Sequence, residues 1–242
     1  EMLDKLLQQE QETEKSYRMS LMAIECQHQA EREALETQIN AHFLCNTLGT
    51  INYEAIEAGN RKVSLLIKKL SNILRYTFDQ KCQNVYMSQE FAWIEQYLYL
   101  QKARFEDVFD YEIDLQEEYD MWPCCKLMLQ PFVENAIIHG FKGREIGGML
   151  KIMAKGQGEY IKIVINDNGY GIPEEREKAI QEIIKGNDVS DDLRIGIGIR
   201  NVVARIHIFY GDSAQISLWS KEGEGTKFEF LLPYPERKEE CI

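Results

Sequence analysis

The stretch 38–51, QINAHFLCNTLGTI, contains His42, one of four histidines in the chain. Its apolar neighbours recur at helical spacing. A histidine in such a helix can be a packed core residue, a metal ligand or a nucleophile, and a packed residue is the commonest outcome. Asn46 lies one helical turn after His42, where it could orient the imidazole or cap a polar spot. The stretch alone leaves these alternatives open.

Two further motifs combine a polar side chain with a pattern suited to a phosphate-containing ligand. In ENAIIHG, Asn135 and His139 are four residues apart and share a helix face. The carbonyl oxygen of an asparagine is a hard ligand that suits Mg²⁺ beside phosphates. In NDNGYGIP, Asp167 ends a predicted strand and is followed by Gly169 and Gly171. A carboxylate held there can accept a hydrogen bond from an amino group, although a simple strand-to-loop turn explains the pattern equally well.

Two glycine motifs complete the set. In RIGIGIRN, Gly196 and Gly198 come directly before a predicted helix, so its free N–H groups could face a phosphate. In GEGTKF, Gly223, Gly225 and Thr226 lead into the last predicted strand, and a β-turn alone would explain them. Each of these motifs is weak evidence by itself.

The elements that must position these motifs form two groups. Five stretches alternate apolar and polar residues with a period of two, which predicts a sheet with one covered face: 109–115, 150–155, 160–167, 214–220 and 226–232. Apolar residues at helical spacing predict two covering helices, 124–139 and 199–210. The C-terminal part is therefore predicted to be an α+β sandwich.

The N-terminal part is predicted to be helical. Residues 1–36 lack Gly and Pro and show a broken heptad of apolar residues, which indicates a coiled coil with a polar seam. Residues 38–56 and 61–78 form a predicted helical hairpin. Two helices cannot enclose a core alone, so two hairpins from two chains are expected to form a four-helix bundle. A third helix, 89–105, is predicted to start at an N-cap Ser88, after a polar boundary near 80–88.

Composition restricts the function further. The net charge of −12 over 242 residues argues against general nucleic-acid binding. The six cysteines show no CxxC spacing, which favours a reduced, cytoplasmic protein. No apolar run reaches the ~18 residues of a membrane span, and no signal peptide is visible. The chain begins inside a helical pattern and is therefore expected to be a fragment of a longer protein.

In combination the motifs are specific. An Asn on a helix, DNGxG after a strand, GxG before a helix and GxGT before the last strand resemble the GHKL ATP-binding fold. With QINAHFLCNTL upstream, residues 38–233 resemble the cytoplasmic part of sensor histidine kinases of the LytS/YehU type. The resemblance implies a coiled-coil signalling helix (1–36), a hairpin for dimerisation and histidine phosphotransfer (37–80), and a catalytic ATP-binding domain (81–242).

The resemblance also implies a role for each motif. His42 would be the phospho-acceptor, Asn135 would bind Mg²⁺, and His139 would lie near the phosphates of ATP. Asp167 would bind the adenine amino group. Gly169 and Gly171 would shape the adenine wall, Gly196 and Gly198 would border the phosphates, and Thr226 would support the adenine pocket. The stretch 173–194, which contains Gly186, would be a mobile lid.

The chain departs from the usual family pattern at several positions. Ala41, Cys45 and Gly49 stand where Pro, Phe and Asn are usual, and Ile138 stands where a Lys that meets phosphate is usual. Lys142, one turn later, could take the place of that Lys. Many histidine kinases also carry an acidic residue directly after the histidine, whereas this chain has Phe.

The predicted function is a homodimeric two-component kinase. It would autophosphorylate His42 with ATP and pass the phosphoryl group to an aspartate of a response regulator, with membrane and sensor segments upstream of residue 1. One alternative is a degenerate kinase that serves as a dimeric nucleotide-binding scaffold. The other is a hydrolytic ATPase of the GHKL class, and Pro131 argues against it because it occupies the position of the catalytic Glu in those enzymes.

Overall fold

The computed structural model describes residues 42–79, 84–187 and 197–235. The first described helix, α1, spans 42–57. The elements that follow are α2 (Arg61–Phe78), β1 (Asn84–Tyr86), α3 (Met87–Phe105), β2 (Phe109–Leu115), β3 (Pro123–Cys125), α4 (Gln130–Asn135), β4 (Gly148–Gln157), β5 (Tyr160–Asp167), α5 (Glu174–Ile184), α6 (Ile197–Tyr210), β6 (Gln215–Lys221) and β7 (Gly225–Pro233).

Helices α1 and α2 form the predicted hairpin. Gly59 adopts a φ of 67° in the connecting turn, and the Asn60 side chain caps α2. The Ser64 hydroxyl donates to Asn52 Oδ1 at 2.7 Å and so joins the two helices. The hairpin is confirmed for the described residues. The coiled coil predicted for 1–36 lies outside them.

The five predicted strands form one sheet in the order β2-β4-β5-β7-β6. Strand β2 pairs in parallel with β4, and the other three pairs are antiparallel. The register of β5 and β7 places Asp167 opposite Thr226, so two residues from distant motifs become neighbours. The α+β sandwich is therefore confirmed.

Aromatic packing joins α4 to the covered face of the sheet. The Phe132 ring lies 4.7 Å from the ring of Phe228 and 4.9 Å from that of Phe230. All three side chains are buried, whereas Trp219 on β6 is half exposed on the opposite face. This core fixes α4 against β7 and so places the end of α4 near the end of β5.

The single helix predicted for 124–139 is wrong. Cys124 and Cys125 are buried free thiols in β3, which pairs antiparallel with β1. The chain then turns through Leu127, whose φ of 58° is left-handed, and α4 starts only at Gln130. Pro131 in the first turn explains that start, because proline lacks the N–H that an inner helical turn requires.

The predicted start of α3 also needs correction. The helix begins at Met87, and the Gln89 side chain accepts from the Tyr86 N–H at 2.8 Å. Ser88 lies within the helix instead of capping it, and its N–H donates to the Asp120 carbonyl at 3.0 Å. The polar boundary predicted near 80–88 contains strand β1. Three residues are too few for a strand pattern, so the sequence did not predict the pairing of β1 with β3.

Candidate functional site

One cavity lies where β5, α4 and α5 meet. Five residues that the sequence motifs predicted for an ATP site line it: Asn135, His139, Asp167, Gly171 and Thr226. Much of the remaining wall is apolar and comes from Phe132, Ile172, Ile180, Ile199 and Phe228. The fold therefore joins three separate motifs around one space with an apolar body and a few polar groups, as ligand sites usually have.

Asp167 is the buried carboxylate of this cavity, with 6% of its surface exposed. Its Oδ1 accepts from the Gly169 N–H at 2.8 Å. Burial raises its pKa to about 6, while hydrogen bonds from the Gly169 and Thr226 N–H groups and the charge of Arg144 lower it. The Thr226 hydroxyl lies 3.0 Å from that of Ser220. At neutral pH Asp167 is therefore an ionised acceptor facing a largely apolar space.

The glycines after Asp167 are required by backbone packing. A Cβ on Gly169 would lie 2.5 Å from the Gly140 carbonyl oxygen, and one on Gly171 would lie 2.2 Å from the Lys221 carbonyl oxygen. Gly171 also has a φ of 73°. Both contacts are too short for a Cβ atom, so any larger residue would displace the loop that forms this wall.

Asn168, between Asp167 and Gly169, anchors the same loop, a role that the motif did not predict. Its Oδ1 accepts from the Met149 N–H at 2.7 Å and from Arg144 at 3.0 Å. Its Nδ2 donates to the Gly147 carbonyl at 3.0 Å. These bonds fasten the loop to the start of β4.

Asn135 and His139 reach the cavity through a change of helical type. Asn135 ends α4, and a π-helical turn follows over Ala136–Gly140, with the Phe141 N–H bonded to the Ala136 carbonyl at 3.1 Å. Such turns are often found at functional sites. Burial, and then the charges of Arg176 and Lys142, lower the pKa of His139. Its imidazole is therefore neutral at pH 7.

Arg176 is a cavity-lining cation that sequence reasoning missed, because no motif contains it. It lies in the first turn of α5, which occupies the first half of the predicted lid. Ala179, Ile180 and Ile183 of this helix are buried, so this half is a packed helix and not a loose lid. Residues 188–194, in the other half of the predicted lid, lie outside the described part of the chain.

The two positions considered for a phosphate-binding lysine, 138 and 142, do not line this cavity. Ile138 and Lys142 line a separate depression together with Arg104 and Phe105. Ile138 is 53% exposed. Lys142 lowers the pKa of His139 through its charge, after Arg176 in size of effect. Among the residues that the structure describes, Arg176 and not Lys142 is therefore the cation in the wall of the cavity.

The glycine loop before α6 is only partly described. Gly196 lies outside the described residues. Gly198 lies in the first turn of α6 instead of preceding it, since the helix starts at Ile197. A Cβ on Gly198 would lie 3.6 Å from the Pro131 side chain, an ordinary contact. The next residue, Ile199, lines the cavity.

His42 and Asn46 lie apart from the cavity lining, on α1. Both side chains are exposed, and Asn46 Nδ2 lies 3.3 Å from His42 Nδ1 and 3.4 Å from Nε2. Phe43, the next residue, is 66% exposed. His42 is therefore neither a packed core residue nor part of a metal cluster within the described residues.

Two protein families match the chain over adjoining segments. Residues 30–109 match the family described as Histidine kinase. Residues 125–236 match the family described as Histidine kinase-, DNA gyrase B-, and HSP90-like ATPase. The cavity lies within the second segment and His42 within the first. The chain belongs to the histidine kinase family, and its C-terminal part is a GHKL-type nucleotide-binding domain.

The chain is 31% identical over 199 residues to the sensor protein kinase HptS of Staphylococcus aureus. The aligned segment covers 82% of this chain and 37% of HptS. The chain thus spans little more than a third of the curated relatives it matches. Within the described residues, no helix combines the length and apolar character needed to cross a membrane.

Two solved histidine kinase structures match the chain with TM-scores below 0.5. A blue-light activated histidine kinase domain from Erythrobacter litoralis gives a TM-score of 0.47 at 13% identity, covering 84% of this chain and 94% of that one. The catalytic domain of histidine kinase ThkA gives 0.45 at 15% identity, covering 63% and 97%. The family assignment rests on the sequence matches, not on these scores.

Proposed function

We propose that this chain is the catalytic part of a dimeric sensor histidine kinase that phosphorylates His42 with ATP. The phosphoryl group would then pass to an aspartate of a response regulator. The observation that carries the proposal is the cavity itself. Asp167, Asn135 and His139, from two different motifs, meet there in a chain that also presents an exposed histidine on a helix. The three parts 1–36, 37–80 and 81–242 would be the signalling helix, the acceptor hairpin and the ATP domain.

The cavity residues suit adenine at one end and phosphates at the other. The Asp167 carboxylate would accept from the adenine amino group, with Gly169, Gly171 and Thr226 supporting that wall. Asn135 would hold Mg²⁺, and His139 would lie beside the phosphates. No group of three His, Cys, Asp or Glu side chains could hold a metal in the described residues, so most ligands would come from phosphate and water oxygens. When bound, Mg²⁺ neutralises phosphate charge.

Arg176 would supply the protein cation that the phosphates need. It lines the cavity, and it has no carboxylate partner among the residues that the structure describes. A guanidinium without a partner can bind phosphate oxygens with charge-assisted hydrogen bonds. We therefore assign to Arg176 the role that Lys142 was considered for, with Gly196 and Gly198 bordering the phosphates.

In the reaction, a neutral imidazole nitrogen of His42 would attack the γ-phosphorus of ATP in line. The N–P bond would form while the bond to the β-phosphate oxygen breaks, and ADP would leave with that electron pair. The ring would then lose its proton from the other nitrogen. Asn46 would orient the ring, since its amide lies near both nitrogens. Catalysis would consist mainly of positioning and charge stabilisation.

Transfer of label from γ-labelled ATP tests the proposal. We expect an acid-labile, alkali-stable label, as for phosphohistidine, that depends on His42. A chain that binds ATP and stays unlabelled would be a nucleotide-binding scaffold. Release of free phosphate without labelling would indicate a hydrolytic ATPase, although Pro131 at the first turn of α4 cannot activate water.

A further inference from the structure

Glu90 is a buried carboxylate outside the nucleotide cavity. It lies on α3 with 1% of its surface exposed. Its Oε1 accepts from the Tyr76 hydroxyl at 2.5 Å and from the Leu127 N–H at 2.6 Å. The N–H groups of Met128 and Leu129 also donate to the carboxylate. Burial raises the pKa of Glu90, and the hydrogen bonds lower it. A buried carboxyl group needs such hydrogen-bond partners, so these donors and Glu90 depend on one another.

The three backbone donors belong to the turn that leads into α4. Leu127 has a left-handed φ of 58°, which is uncommon for a residue other than glycine. The bonds to Glu90 hold the turn in this shape and so fix the point where α4 starts at Gln130. Asn135 lies at the other end of this short helix. The position of the ATP-site residues on α4 and its π turn therefore depends on Glu90.

The fourth donor comes from the acceptor hairpin. Tyr76 lies in the last turn of α2, the second helix of the hairpin. Lys126, the first residue of the turn 126–129, lies over the Tyr76 ring at 4.8 Å from its centre. It also donates to the Asp79 carbonyl just after α2. Arg205 on α6 donates to the Lys126 carbonyl. The end of α2 is thus fastened to the same turn that starts α4.

We propose that Glu90 is a positioning residue that couples the acceptor hairpin to the ATP site, with Tyr76 as the contact on the hairpin side. A shift of α2 that withdraws the Tyr76 hydroxyl would change the bonding of Glu90, and through it the turn 126–129. The inference rests on the proposed function, since it assumes that the hairpin carries the acceptor and the cavity holds ATP.

The proposed coupling predicts different effects of the two variants on ATP affinity and on the rate of His42 labelling. Tyr76→Phe removes only the hairpin's hydroxyl and leaves three backbone donors on Glu90, so ATP affinity should stay within about twofold. Loss of one hydrogen bond should slow labelling of His42 at saturating ATP by about fivefold. Glu90→Gln places an amide N–H against backbone N–H groups, so it should weaken ATP binding as well as slow labelling.

The experiment compares both single variants and the double variant by calorimetry with ATP and by labelling rate. The double variant should be no slower than Glu90→Gln, because both changes interrupt the same link. Tyr210→Phe is the matched control: it removes a buried hydroxyl on α6 that donates to the Pro123 carbonyl of β3 at 2.8 Å and not to Glu90. We expect it to leave the labelling rate unchanged.

The inference is overturned if Tyr76→Phe labels at the wild-type rate, if Tyr210→Phe slows labelling equally, or if the two changes multiply in the double variant. A purely structural role would lower the melting temperature without changing the labelling rate. Should Glu90→Gln not fold, Tyr76→Phe and its control still decide the question. A wild-type chain without label on His42 would overturn the proposed function, and this inference with it.

Discussion

The hairpin and the ATP domain differ in how they cover their apolar side chains. Several large apolar residues of α1 and α2 are exposed in the single chain: Phe43, Leu44, Ile51, Ile56, Val63, Leu65 and Leu70. The ATP domain instead closes its own core, with Phe109, Phe132 and Phe230 almost fully buried. The ATP domain can therefore complete its site within one chain, whereas the hairpin is suited to a second copy.

The proposed acceptor, His42, gives the strongest test of this division. His42→Gln should abolish labelling, because the glutamine amide nitrogen is not a nucleophile, and should leave ATP affinity and the melting temperature unchanged. The His42 side chain is exposed, so its removal costs no packing. Phosphate transfer followed by mass mapping measures the result. Label that survives the change would move the acceptor elsewhere, with His28, a histidine within the coiled coil predicted for 1–36, as the next candidate.

A charge on the hairpin surface tests whether this region needs a partner. Ile51→Glu should shift the protein from dimer to monomer, since the carboxylate would be buried between copies without a counter-charge. Light scattering gives the mass, and ATP affinity should not change. Met153→Glu is the control: Met153 is 40% exposed on β4, close to the 46% of Ile51, but lies on the sheet. A dimer that survives Ile51→Glu would contradict the assigned interface.

Within the ATP domain, Asp167→Asn should weaken ATP binding by about 1–3 kcal/mol, because an amide can present a donor where the adenine amine needs an acceptor. Calorimetry measures the loss. Asp110→Asn, at an exposed carboxylate on β2, is the matched control and should bind ATP normally. Unchanged affinity in Asp167→Asn would refute the role given to Asp167.

The role proposed for Arg176 in phosphate binding predicts a smaller effect on ATP affinity. Arg176→Gln should weaken ATP binding or slow labelling by about tenfold, because charged hydrogen bonds are worth about 1.5–3 kcal/mol and Arg176 is partly open to solvent. Lys142→Gln, the same change in the separate depression, should do much less, and Ile138→Lys should do little. A larger loss in Lys142→Gln would reverse the assignment. A clear gain in Ile138→Lys would show that the native site lacks a cation.

The pH dependence of ATP binding should be the mildest effect. Burial raises the pKa of Asp167 to about 6 in the free protein, and in the proposed role the ionised carboxylate is a stronger acceptor for the adenine amino group than the protonated acid. Affinity should therefore be constant above about pH 7 and fall as the pH drops through 6, by up to about tenfold per unit. The stability of the ATP-free protein should have the opposite pH dependence. Because the pKa of Asp167 is raised in the folded state, its protonated form stabilises the fold at low pH, and this contribution is lost as the pH rises through 6. Asp167→Asn should remove both trends.

The sequence by itself determined the elements whose pattern is local. Alternation of apolar and polar residues predicted all five sheet strands, because a strand with one covered face repeats every two residues. Helical spacing and the Gly59–Asn60 turn predicted α2 from Arg61 to Phe78. The family resemblance carried by the motifs also predicted the five residues that meet in the cavity, because each of them lies at a position that matches a family motif.

Only the tertiary structure decided the features that join distant parts of the chain. The apolar spacing of 124–139 satisfied one long helix, and only the pairing of β1 with β3 and the left-handed Leu127 divide it. Pro131 was the one local signal of the true start. Arg176 faces the cavity because α5 packs on β6, and Glu90 meets Tyr76 and the turn before α4 because three elements converge. Such contacts depend on packing between elements, which no local pattern encodes.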